Sequence, residues 1–176
     1  MKPGTPLRRE RVTTMSDEYV FHSWRWNRIP SNDGYLYLEM SQNPVPYHIA
    51  RCFEGEIDDH TCQALALSSC RISCMATDVV RGRMPSSKLQ RTATGQCLKR
   101  LDTMCIILER ESRKNPERGH PMGILPVVPQ SINGMLVSPT RLETTAHLTI
   151  GFVHHWVNIV LQCNGSRWMC VLADVG

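Results

Sequence analysis

The stretch "GFVHHWVNIVLQCNGSRWMCVLADVG" places an Asn-Gly pair, Asn164-Gly165, between two apolar runs. No other feature of the chain restricts its fold as tightly. Asn-Gly favours a two-residue type I′ turn between twisted antiparallel strands, because both residues accept a positive φ. A turn of known length fixes the register of its strands. Counting outward, Cys163 faces Ser166, Leu161 faces Trp168, Ile159 faces Cys170 and His155 faces Asp174. Directly opposed residues hold their Cβ atoms about 4.5–5.5 Å apart, close enough for an imidazole to donate to a carboxylate. His155 shares its face with Thr149, Gly151, Val153, Val157, Ile159 and Leu161, a surface suited to packing on a helix. His154 goes to the other face with Trp156 and Asn158. A carboxylate on one ring nitrogen fixes the histidine tautomer, leaves the other nitrogen as a base and stabilises the imidazolium. The plainer reading is a cross-strand surface pair contributing roughly 0.2–1 kcal/mol.

The rest of the chain predicts what such a hairpin packs against. At 176 residues, 41% hydrophobic and 20% charged, it is long enough for one domain with a sizeable core. Residues 1–18 read as a disordered basic arm and residues 19–176 as a single globular domain. Residues 19–29, 34–40 and 47–53 are rich in aromatic and β-branched types and are separated by turn formers, which predicts three short strands. Asp58-Asp59-His60-Thr61 is a run of helix-start residues, and "CQALALSSCRISCM" is apolar on nearly all sides, so a buried helix follows. A second helix is expected over residues 96–113, with Leu98, Leu101, Cys105 and Leu108 as its inner stripe. Pro126, Pro129 and Pro139 interrupt the strand candidates around residues 124–128 and 135–137. The fold class expected is α+β, two helices packed on a mostly antiparallel sheet.

A His-Asp pair late in the chain needs a nucleophile to do chemistry. A thiol beside a histidine and at a helix N-terminus is activated as thiolate. Two cysteines take such positions: Cys97, which opens the second helix, and Cys62, which opens the first. Cysteine at a helix start, a distant histidine on a strand and an acid on the next strand resemble the layout of papain-like cysteine proteases. "GQCLKRL" is similar to the Gly-x-Cys-apolar motif of compact viral leader proteases and to the cysteine motif of ovarian-tumour-type deubiquitinases. "HHWVNIVLQCNGSRWMCVLAD" resembles the histidine strand, turn, tryptophan and acidic strand of picornaviral leader proteases and Josephin-type deubiquitinases. The resemblance implies a papain-like layout, a polypeptide substrate, His155 as base, Asp174 as its orienter, and Cys97 or Cys62 as nucleophile.

Two other chemistries compete. His48, Cys52, Cys70 and Cys74 lie within a short span, and the i, i+4 spacing of Cys70 and Cys74 can grip zinc from one helical face. The net charge is +4, and the basic residues are mostly arginine, whose fork suits phosphate and carboxylate. Arg8, Arg9 and Arg11 in the arm and Arg81, Arg83 and Arg91 in the loop between the helices are candidates for contacting RNA or an acidic partner. Trp24 and Trp26, on one face of the first strand, read as core residues or as base-stacking platforms. "MKPGTPLRRERVTTMSDE" lacks an apolar signal core, and the run from Leu148 to Leu161 is too short to span a bilayer. A cytoplasmic setting with reduced thiols is expected.

Overall fold

The computed structural model describes residues 29–38, 41, 43–53, 55, 57–114 and 122–176. The expected arm, most of the expected strand at residues 19–29, Trp24, Trp26, Arg8, Arg9 and Arg11 lie outside the described residues. In chain order the elements are β1 (Ser31–Leu36), β2 (Val45–Arg51), α1 (Asp59–Val80), a single 3₁₀ turn (Ser86–Leu89), α2 (Gly95–Lys114), β3 (Val127–Ser138), β4 (Arg141–Ile150), β5 (Val153–Asn164) and β6 (Arg167–Val175). The six strands form one sheet in sequence order. Every neighbouring pair is antiparallel except β2 and β3, which are parallel. A parallel pair needs a long crossover, and α1 and α2 supply it. The architecture is therefore α+β, with two helices on a mostly antiparallel sheet.

Both helices begin where their local chemistry dictates. The Asp58 carboxylate accepts from Thr61 N at 2.8 Å and from Thr61 Oγ1 at 2.7 Å. Those bonds hold its pKa below the usual carboxylate range. Thr94 Oγ1 accepts from Cys97 N at 3.3 Å at the head of α2. Inside α1, the hydroxyls of Ser73 and Thr77 donate to the carbonyls of Ser69 and Ser73, both at 2.8 Å, so neither is stranded in the core. The helix buries Leu65, Ala66, Cys70, Ile72, Ala76, Val79 and Val80. They meet Leu142, Ala146, Leu148, Val157, Ile159 and Leu161 from the inner face of the sheet. α2 buries only Cys97 and Leu101 and packs against α1 and β6.

The strands depart from the sequence expectations in four places. β1 runs through Ser31-Asn32-Asp33, residues with turn chemistry, because each side chain finds a partner: Ser31 and His48 on Asp33, Tyr47 and Asp59 on Asn32. β3 is one strand of 12 residues, because Pro129 sits at a register shift where the ladder loses a bond anyway. The apolar run from Leu148 to Leu161 is two strands, since Gly151, at φ +63°, turns the chain. The C-terminal hairpin turns on Gly165-Ser166, with Asn164 paired to Arg167. Only Gly165, at φ +64°, has a positive φ there, the pattern of a type II′ turn with glycine at its first central position.

That placement is testable. A Cβ on Gly165 would meet nothing within 4 Å, so Gly165→Ala carries only the backbone penalty, about 1–2 kcal/mol. Asn164→Ala is expected to change stability by less than about 0.5 kcal/mol. Chemical denaturation of both variants checks this, and comparable losses would restore the Asn164-Gly165 turn.

Candidate functional site

The slipped turn separates the residues expected to form a His-Asp pair. Leu161 faces Cys170, and an extra residue at Val171 then shifts the ladder again, so Ile159 faces Ala173 and Asn158 faces Asp174. Trp156 already exchanges both backbone hydrogen bonds with Gly176. His155 therefore has nothing opposite it on β6. It faces Leu148 on β4, with its Nε2 buried and without a hydrogen-bond partner. Asp174 instead accepts from Arg100 Nη2 of α2 at 2.8 Å.

The candidate thiols lie at the far end of the sheet from His155. Cys97 Sγ is 3.8 Å from Cys170 Sγ. Cys170 faces Leu161, six positions along β5 from His155, which is about 20 Å at the rise of a strand. Cys62 lines one cavity with Leu136, in the same cross-strand row as Leu142 and Leu161. A general base must come within hydrogen-bond reach of the proton it takes, so the structure does not bring His155 together with either thiol. Nor is Cys62 activated: burial pushes its thiol up, and Asp59 and Asp58 add to the rise. The hydrogen bond with Cys170 lowers the Cys97 thiol and raises that of Cys170.

The four candidate metal ligands are also divided. Cys70 and Cys74 stand one turn apart on α1, where the interaction between the two thiols lowers Cys70 and raises Cys74. His48 points to the opposite face of the sheet, where its Nδ1 lies 2.6 Å from Asp33 Oδ1, and Cys52 is exposed past the end of β2. Among the described residues no three His, Cys, Asp or Glu side chains converge as a metal site.

A different cluster forms on the sheet face away from the helices, which no described element covers. One polar row crosses every strand: Asp33, His48, Asn133, Thr145, Asn158 and Asp174. Thr145 Oγ1 donates to Asn158 Oδ1 at 2.8 Å. In the next row Ser131 faces His147, which faces Trp156. The His147 and Trp156 rings stack with centroids 4.4 Å apart and planes 16° from parallel. His147 Nε2 lies 2.7 Å from His154 Nδ1. Their centroids, 4.9 Å apart, exceed that separation by about two ring radii, so the imidazoles meet head-on in a shared N–H···N bond. Burial, then the charge of His154, lowers the His147 pKa.

The acids on this face are each held by a base: Asp33 by His48, Asp174 by Arg100, and Glu143 by Arg141 at 2.8 Å. Trp156 is still 51% exposed. A single strand running through Gly151, as the sequence predicts, hides the His147–Trp156 pair. A two-residue turn there sets the two rings opposite each other. Comparison with protein-family models, with curated proteins and with solved structures gave no match.

Proposed function

We propose that this chain is a non-enzymatic binding protein whose open sheet face takes single-stranded RNA. The observation that carries this reading is the half-exposed Trp156 with His147 stacked on it and His154 hydrogen-bonded behind, on a sheet face that no described element covers. Aromatic rings standing on a sheet are what unpaired bases stack on, and base–aromatic stacking contributes roughly 1–3 kcal/mol per base. The flanking row of Asn133, Thr145 and Asn158 offers donors and acceptors to base edges. The acids of the face are already paired, so their charge opposes a polyanion less, and the chain carries a net charge of +4. Thiol-dependent hydrolysis of a polypeptide, in a papain-like layout, lacks comparable support, since it needs a thiol beside His155. No described helix is long and apolar enough to cross a membrane. The same reading places the chain in the cytoplasm, where its eight cysteines, none in a disulfide, stay reduced.

Titrating the chain with a fluorescently labelled single-stranded RNA, and with the same sequence as a duplex, tests this. Preference for the single strand is expected, with affinity that falls as salt rises. Trp156→Ala is expected to weaken binding by roughly 5- to 100-fold, the equivalent of one lost stacked base. Absence of binding, or equal affinity for the Trp156→Ala variant, overturns the reading.

A further inference from the structure

A cavity lies on the other side of the sheet, between β2 and the head of α1. Its volume is about 750 Å³. Its lining is mostly polar, with Ser31, Asn32, Arg51, Asp58 and Asp59 around it, and Ile49, Ile57 and Leu136 supply a smaller apolar part. Arg51 is the inward-facing last residue of β2, paired with Leu136. Its Nε is buried and has no hydrogen-bond partner, and among the described residues no carboxylate forms an ion pair with its guanidinium. A buried arginine nitrogen left unpaired is costly, and such groups in folded proteins nearly always have an acceptor.

The acids nearby are committed elsewhere. Both Asp58 oxygens hold Thr61 at the helix cap. Asp59 Oδ1 accepts from Asn32 Nδ2 at 2.6 Å, and Asn32 in turn accepts from the Tyr47 hydroxyl at 2.8 Å. Arg51 is thus the one charge lining this cavity with no partner among the described residues. Its planar fork matches a carboxylate or phosphate oxyanion. Two features select between them. Asp58 and Asp59 stand at the same cavity and repel a dianion more than a monoanion. The smaller apolar part, Ile49, Ile57 and Leu136, suits a short hydrocarbon chain beside the carboxylate.

We propose that this cavity is a binding site for a short-chain monocarboxylate, with Arg51 as the anchor of its carboxylate and the apolar part formed by Ile49, Ile57 and Leu136 beside its chain. The site is independent of the open sheet face and stands or falls separately from the RNA reading. Cys62 lines it as a reporter and has no part in the anchoring.

Thermal unfolding of the full chain with hexanoate, and with neutral hexanamide as control, tests the proposal. Hexanoate is expected to raise the unfolding midpoint progressively with concentration, as a ligand of the folded state does, and hexanamide is not. Hexanoate is also expected to slow alkylation of Cys62 by iodoacetamide at least fivefold, while exposed Cys52 reacts at an unchanged rate. Arg51→Gln abolishes both effects. Arg51→Lys, which keeps the charge without the fork, weakens both and serves if the glutamine variant does not fold. No rise with hexanoate, an equal rise with hexanamide, or a rise that survives loss of the guanidinium overturns the site.

Discussion

Replacing Arg81 with methionine is expected to lower the unfolding free energy by about 2–4 kcal/mol, whereas Arg83→Met changes it by less than about 0.5 kcal/mol. The two arginines make nearly the same contact. Arg81 Nη1 donates to Leu125 O at 2.7 Å, and Arg83 Nη1 donates to Ile124 O. What differs is solvent. The Arg81 side chain is 2% exposed and that of its partner Asp78 35%, while Arg83 is exposed. Arg81 Nε and Nη2 reach Asp78 Oδ1 at 2.8 and 2.7 Å, so the buried charge is well paired. Removing it strips Leu125 O and Asp78 of a donor that reaches them from a buried position, and bonds made by buried groups are where the large losses arise. Asp78 keeps some contact with water, which places the expected loss below that of a fully buried pair. Methionine retains most of the aliphatic stem, so the loss reports the guanidinium and not its packing. Arg81 also stands at the C-terminal end of α1, where a positive charge complements the helix dipole. Urea denaturation of both variants, with unchanged m-values, checks the contrast. Equal losses at the two positions would mean that burial does not set the difference.

The parts of the fold legible in the sequence are those decided within a few residues. Asp58 caps α1 through Thr61, three residues on, and the two limits of α2 fall within one residue of the expected ones. The parts that were not legible depend on a choice between two local solutions of similar free energy. Asn164-Gly165 and Gly165-Ser166 both make good two-residue turns. The second, with one extra residue at Val171, sets Cys170 and Ala173 against Leu161 and Ile159 on the buried face. Burial of the far ends of the strands settles the turn, and turn propensity has no view of it. The Gly151 turn was hidden for a related reason. The residue after it, Phe152, is fully exposed, and an apolar residue at a loop tip reads as strand.

The candidate sites follow the same division. Cys97 stands at the head of a helix, as its local sequence predicts. Its neighbour, Cys170, comes from a strand distant in sequence, and no local pattern announces a 3.8 Å contact across that separation. Among the described residues the histidine and aspartate that do pair are His48 and Asp33, and Asp33 belongs to a segment with the composition of a turn. Side-chain hydrogen bonding to β2 and α1 turned that segment into a strand, so its chemistry became visible only with its partners in place.

Gly134→Ala is expected to cost about 1–3 kcal/mol, the range for inserting a methyl into a packed core. Gly134 faces Thr144 across β3 and β4. A Cβ there would lie 2.6 Å from Thr144 Cγ2 and 3.1 Å from Glu143 O. Thr144 is 4% exposed and cannot swing into solvent, so either its methyl or the strand itself must yield. The two are separable. Thr144→Ser removes the methyl and keeps the hydroxyl, and Thr144→Val keeps the methyl and removes the hydroxyl. In the serine background the cost of Gly134→Ala is expected to fall by about 1 kcal/mol, the coupling typical of residues in contact. In the valine background it is expected to persist. Thr144→Val alone is expected to be neutral or stabilising, because Thr144 Oγ1 is buried without a partner and an apolar isostere relieves an unmade bond. A double-mutant cycle by chemical denaturation reads all of these values. If the cost were the same in both backgrounds, the resistance would lie in the Glu143 carbonyl. The glycine would then be required by the close approach of the two backbones and not by the threonine above it.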